Sequence, residues 1–319
     1  MQRIILIGLA TLLTACANQP SNSTSQKVAN TQTETISTFY DYQLASPQGK
    51  TLSLNALPEQ LIDADVVLIG EWHTHSAIHR FQTDFLKARR NATSNIALSM
   101  EQFTREHQTT LDQYLSGKIG EQTLMSQAAA WPNYESDYRA LVEFAKANDV
   151  DVIAANAPKP FVQCIGRKGL PYLDQLSTEQ RQWIAAEVDT GDSPYKEKFM
   201  ASMHHGTPEQ TEKQFAAQVT WDETMAESIV DYLASNPDKQ VIHVAGKFHT
   251  EGGLGTAASI LRRNPDLKIA IISPVEAIST DSNDYQLEVL SSPARFVKKE
   301  NRMKAYKHLS KRSASLECE

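Results

Sequence analysis

Five short apolar runs, each closed at its C-terminal end by glycine or polar residues, constrain this 319-residue chain more than any other feature. They are residues 65–70 (DVVLIG), 95–100 (NIALSM), 150–155 (VDVIAA), 240–246 (QVIHVAG) and 267–273 (LKIAIIS). Runs of this length that are apolar on both alternating faces fit strands covered on both sides. Between them, residues 77–90, 106–115, 136–148, 178–187 and 208–233 repeat their apolar positions with helical period. Strands alternating with helices predict an α/β fold, a mostly parallel sheet flanked by helices.

Two connections, residues 104–148 and 158–238, are longer than a crossover requires and read as helical insertions that form a cap. Residues 284–297 (DYQLEVLSSPARFV) are expected to add one or two edge strands, with a solvated charged stretch after them. The insertions interrupt one sheet, so residues 39–319 read as one discontinuous domain. With 41% hydrophobic residues, disorder is excluded as the main state. A formal net charge of −7 without a long basic run argues against nucleic acid as a partner. Three cysteines, none in a CxxC pair, exclude a four-thiolate metal centre.

In parallel sheets ligands bind in the crevice beyond the carboxyl ends of the strands. The residues following the proposed strands are Gly70-Glu71-Trp72-His73, Glu101-Gln102, Asn156-Ala157-Pro158 and Gly246-Lys247-Phe248-His249. Glu71, His73, Glu101 and His249 are therefore expected to face one volume. Two carboxylates and two imidazoles there could ligate a metal, act as acid and base, or hold the polar rim of a cofactor. The strict His-Glu-x-x-His motif is absent, and so is a Gly-x-Ser-x-Gly elbow. His75 and His79 read as surface or supporting residues.

Phe215, Val219, Asp222, Ala226, Ile229 and Leu233 form one stripe on a long helix. A carboxylate within that stripe must be paired, so Asp222 either orients a crevice histidine or binds loop backbone. Gly252 and Gly253, before a helix, could offer backbone amides to an anion. Tyr134, Tyr138, His204 and His205 lie in the insertions and are the residue types that ligate haem iron.

Residues 1–15 carry one basic residue and an apolar run too short to span a bilayer, the layout of an export signal. Leu13-Thr14-Ala15-Cys16 resembles a bacterial lipobox, in which Cys16 would be lipidated and become the first mature residue. Ala17 after it implies an outer-membrane lipoprotein facing the periplasm. Residues 16–38 then read as lipid anchor and polar tether. In an oxidising compartment Cys164 and Cys318 could pair, which the sequence leaves open.

Gly70-Glu71-Trp72-His73, Glu101-Gln102-Phe103, Trp131-Pro132-Asn133-Tyr134, Ala154-Ala155-Asn156-Ala157-Pro158, His204-His205-Gly206, Trp221-Asp222-Glu223-Thr224-Met225-Ala226 and Ala245-Gly246-Lys247-Phe248-His249 together resemble the ChaN family of iron-regulated lipoproteins. That family lies within a wider group that includes Tiki metalloproteases and erythromycin-esterase-like proteins. The resemblance implies haem binding in iron acquisition, with a homodimer that sandwiches haem and a haem or iron uptake receptor or transporter as expected partners. Tyr134, Tyr138, His204 or His205 would supply the iron ligand, and the amides of Gly252 and Gly253 would receive propionates. The wider group implies metal-dependent hydrolysis of a peptide or ester through Glu71, His73, Glu101 and His249 as catalytic and metal-holding residues, with Mn, Co or Zn activating a water.

Overall fold

The computed structural model describes residues 36–203, 206–314, 317 and 318. The export signal, Cys16 and most of the tether lie outside the described residues, as do His204 and His205. No helix among the described residues is long and apolar enough to cross a membrane.

Residues 36–319 form one compact unit around a seven-stranded sheet. Its strands are β1 (Tyr42–Ala45), β2 (Val66–Glu71), β3 (Ile96–Thr104), β4 (Asp151–Asn156), β5 (Gln240–Gly246), β6 (Ile269–Val275) and β7 (Tyr285–Val289). The order across the sheet is β1-β7-β6-β2-β5-β3-β4. Every pairing is parallel except β1 with β7. The five apolar runs thus become β2 to β6, buried on both faces as their composition requires. The tail supplies β7, but as an inner strand. The true edge, β1, lies in a polar stretch that carried no strand signal, and Leu44 and Ala45 are its buried positions.

Each face of the sheet has its own core. Val67, Ile69, Leu98, Met100, Ile242 and Val244 face the helices Ser76–Ala92 and Arg139–Ala147. The first insertion belongs to this layer, since Leu111, Leu124, Tyr134 and Tyr138 join the same cluster. On the opposite face Val66, Leu68, Val241 and Ala245 meet Met225, Ala226, Ile229 and Leu233 of the helix Pro208–Ser235, together with Ala257 and Ile260. This long helix starts at Thr207, whose hydroxyl accepts from the Gln210 amide, with Pro208 at its first turn. The apolar stripe is buried as expected, Asp222 included. The second insertion adds two satellite clusters, one around Ile165, Tyr172 and Ile184, the other around Tyr195, Phe199 and Phe215.

The helix expected over residues 178–187 is a single turn, Thr178–Arg181, opened by a Ser177/Gln180 capping box. Beyond it the amides of Gln182, Trp183 and Ile184 bond the carbonyls three residues back, tight turns rather than α-helix, and the Arg181 guanidinium donates to the carbonyls of Ile184, Ala185 and Ala186.

Candidate functional site

Glu71 ends β2, Glu101 lies near the end of β3, and Gly246 ends β5, the strand between them. The pairing of β3 with β4 slips register between Met100 and Thr104. A regular strand would send Glu101 and Gln102 to opposite faces, whereas an irregularity re-aims side chains locally. Both reach the same centre here. Gln102 donates from Nε2 to Glu71 Oε1 at 3.2 Å, and Glu101 Oε2 accepts from the Gly246 amide at 2.6 Å.

Glu71 is wholly buried and almost saturated. Its Oε1 accepts from His73 Nδ1 at 2.8 Å and from the Tyr138 hydroxyl at 2.6 Å, while Oε2 accepts from Gln82 Nε2 at 2.7 Å. Burial pushes its pKa up, but the hydrogen bond from His73 and the imidazoles of His79 and His73 outweigh this and hold it below the ordinary value. His73 responds in the opposite sense. Burial favours its neutral form, yet the Glu71 hydrogen bond and the Glu101 charge raise its pKa above the usual imidazole value. With Nδ1 committed to Glu71, its Nε2 edge lies against Gly246, where an added Cβ would stand 3.0 Å from Nε2. The absence of a side chain at Gly246 is what lets this imidazole sit at the strand end.

His249 forms a second pair. Its Nδ1 bonds Asp222 Oδ1 at 3.0 Å, and its Nε2 lies 3.8 Å from Glu101 Oε1. Asp222 also accepts from the Thr256 hydroxyl at 2.9 Å and the Tyr195 hydroxyl at 2.8 Å. Desolvation alone would depress the His249 pKa, but Asp222 and then Glu101 lift it to about 9, so this imidazole is a buried cation at neutral pH. Asp222 therefore takes the histidine-orienting role, one of the two alternatives its place in the stripe left open.

Glu71, His73, Glu101 and His249 do meet, as the strand-end argument required. They meet as two imidazole–carboxylate pairs beside Glu101, and the expected metal centre is not supported. Among the described residues no three His, Cys, Asp or Glu side chains are placed to hold a metal ion. Glu71 accepts from four neighbouring side chains, and His249 Nδ1 is committed to Asp222.

Other expectations are relocated. Tyr134 is buried in the core against Phe103, and Tyr138 is buried with its hydroxyl on Glu71. Burial, with Glu71 next at Tyr138 and Tyr114 next at Tyr134, raises both phenol pKa values, and both side chains are enclosed. The Gly252 amide is taken by Asp284 Oδ2 at 2.9 Å rather than offered to an anion. Gly252 and Gly253 both have positive φ, which accounts for glycine in that loop. His75 and His79 are buried, not on the surface: His79 bonds Gln82 Oε1 and the His73 carbonyl, and His75 Nε2 donates to the Leu290 carbonyl. Gln82, Tyr195 and Thr256 were missed. Gln82 stands three residues after His79 on one helix, which was a usable signal, whereas nothing local linked Tyr195 or Thr256 to Asp222.

Above the pairs opens a cavity of about 1050 Å³, lined by Phe39, Trp72, His73, Phe248, Lys247 and Arg295 among others. Phe248, which follows the strand end, packs its ring against Tyr195 and Phe199 of the second insertion. His73, His75 and His249 all line this space, and His73, with 43% of its side chain exposed, is the most open of the three.

The family model described as "Haem-binding uptake, Tiki superfamily, ChaN" matches residues 57–260, a span that holds every residue of the two pairs. Among solved structures, "Cofacial heme binding to ChaN of Campylobacter jejuni" is similar at 19% identity and a TM-score of 0.63, covering 79% of this chain and 98% of that one. An erythromycin esterase mutant, EreC, in its open conformation aligns at 13% identity and a TM-score of 0.45, covering 83% of this chain and 86% of that one. No curated protein matches the chain in sequence.

Proposed function

The chain belongs to the ChaN family of the Tiki superfamily, and from that premise we propose that it binds haem as cargo in an uptake system. The observation that carries this reading is the family match over residues 57–260. The cavity is compatible in size and chemistry. At about 1050 Å³ it can take a macrocycle, and Phe39, Trp72 and Phe248 supply apolar and aromatic wall. Lys247 and Arg295 are the cations suited to propionate carboxylates.

Of the described imidazoles, His73 suits the iron best. A metal-binding histidine commonly donates its other ring N–H to a carboxylate, which fixes the tautomer and raises ligand basicity. His73 has that arrangement with Glu71, and Glu71 is itself held by Tyr138, Gln82 and Gln102. His249, protonated and bound to Asp222, is a counter-charge to Glu101 rather than a ligand. Lipidation of Cys16 would place the protein on the outer membrane facing the periplasm. There a second copy of the chain and a haem or iron uptake receptor or transporter are the fitting partners.

Titration of the purified protein with haemin tests this. A saturable Soret band is expected, lost or shifted in His73→Ala and retained in His249→Gln. A linear, unsaturable absorbance in the wild type would reject haem binding. A second reading, acid–base hydrolysis of an ester or amide without a metal, is favoured by the two imidazole–carboxylate pairs flanking Glu101. It predicts turnover of activated esters that Glu101→Gln abolishes, measured on the same preparation.

A further inference from the structure

The chain enters the domain and leaves the sheet at one rim. Phe39, close to the first described residue, and Ser292 to Arg295, which follow β7, line the same cavity. Phe39 is placed there by its ring, whose centroid lies 5.0 Å from that of His75. Consecutive Cα atoms are only ~3.8 Å apart, so Tyr40 beside Phe39, and Phe296 and Val297 beyond Arg295, belong to that rim as well. These three side chains are open to solvent, Tyr40 at 63%, Phe296 at 45% and Val297 at 92% exposure. Single exposed apolar residues need no explanation, whereas a group of them on one rim marks a contact surface.

Charge is gathered on the same segment. Residues 296–304 (FVKKENRMK) hold four cations and one carboxylate, a net +3 within nine residues, in a chain whose formal charge is −7. The remaining residues therefore carry −10, so these cations run against the general balance. Residues 291–304 are exposed throughout. Among the described residues, none of Lys298, Lys299, Arg302 and Lys304 forms an ion pair. Cations beside exposed aromatic and β-branched side chains match an interface of anionic headgroups over hydrocarbon: ammonium and guanidinium groups meet phosphates, while the rings and Val297 reach the acyl boundary. The point of attachment lies on this side too. Cys16, read above as lipidated, precedes Ile36 by twenty residues, at most about 70 Å of extended chain, and Ile36 is only three residues from Phe39.

We propose that this rim, formed by Phe39, Tyr40 and residues 296–304, docks on an anionic phospholipid surface, so that the cavity opens towards the lipid. The inference takes from the lipid-anchor reading only the point of attachment, and nothing from the haem-binding reading.

The test uses residues 36–319, the compact unit, which carries neither Cys16 nor a lipid. It is mixed with phosphatidylcholine vesicles that contain or lack about one third phosphatidylglycerol. Co-sedimentation should show at least tenfold tighter binding to the anionic vesicles at low salt, weakening steeply as sodium chloride screens the cations. Joint Lys298→Glu, Lys299→Glu, Arg302→Glu and Lys304→Glu reversal should lower that binding at least tenfold, with circular dichroism unchanged. Val297→Asp should give a smaller loss. Equal binding to the two vesicle types, or binding to neither, would overturn the proposal, as would a reversal variant that binds like the wild type. If the reversal changed only self-association in sedimentation without vesicles, the rim would belong to a second copy of the chain and lipid docking would be rejected. Palmitate labelling of the full chain, abolished by Cys16→Ser, scores the anchor separately, so either reading can fail while the other stands.

Discussion

Glu71 and His249 carry opposite charges within one buried site, and each is charged because of what it touches. Four donors surround the Glu71 carboxylate, and Asp222 with Glu101 surrounds the His249 imidazole. Protonation of His249 is coupled to folding. Its pKa is raised from 6.5 to about 9, so the stability it contributes is fully present below pH 6.5 and is lost as pH rises through about 9. His243 works in the other direction: burial lowers its pKa to about 3, so its contribution is present above pH 6.5 and is lost as pH falls below that. Urea midpoints should therefore peak near pH 6.5 and fall towards pH 9, and His249→Gln should flatten the alkaline limb and, by removing a charge that also depresses His243, shorten the acid limb. An unchanged alkaline limb in that variant would show that the pair is not ionised as described. Glu71, His73, Glu101 and His249 were all legible as strand-end residues. Their division into two pairs was not, since it depends on Tyr138, Gln82, Tyr195 and Thr256, which reach the site from other elements.

At the scale of elements, β4 shows how an exposed edge is managed. Edge strands present unpaired amides and carbonyls that invite a foreign strand. Here the Gln108 side chain stands in for a neighbour, with Nε2 donating to the Val152 carbonyl at 2.9 Å and Oε1 accepting from the Ala154 amide at 2.7 Å. Ser228 donates to the Ala155 carbonyl on the same strand. Gln108→Ala should cost about 1–3 kcal/mol in denaturant unfolding, the usual loss when buried polar groups lose their partners. It should also raise concentration-dependent association by light scattering, whereas Gln108→Asn, too short to reach both groups, should do the same to a smaller degree. Helix content was largely readable from the apolar period, as the helices Ser76–Ala92 and Pro208–Ser235 show. The segment after Thr178–Arg181 was misread because it continues in three-residue turns, which the apolar period alone does not distinguish from α-helix.

Across the whole molecule, the cavity exists because β5 returns to lie between β2 and β3. That placement brings Gly246 and His249 alongside Glu71 and Glu101, at the point where successive connections leave the sheet in opposite directions. β1 closes the other flank by pairing antiparallel with β7, and Leu44 packs into the larger core. Leu44→Ala should therefore cost about 2–5 kcal/mol in chemical denaturation, as for other fully packed leucines, although the segment carries no strand pattern of its own. A cost below 1 kcal/mol would mean that β1 is not integral to the domain. By itself the sequence determined the parallel α/β class, the five central strands and the four residues at their ends, because alternation and apolar period are local properties of the chain. Strand order, the irregularity in β3 that brings Glu101 and Gln102 to one centre, and the pairing of Cys164 with Cys318 were decided only in tertiary structure. Each of these joins positions far apart along the chain, and it is the simultaneous burial of both sheet faces that selects them.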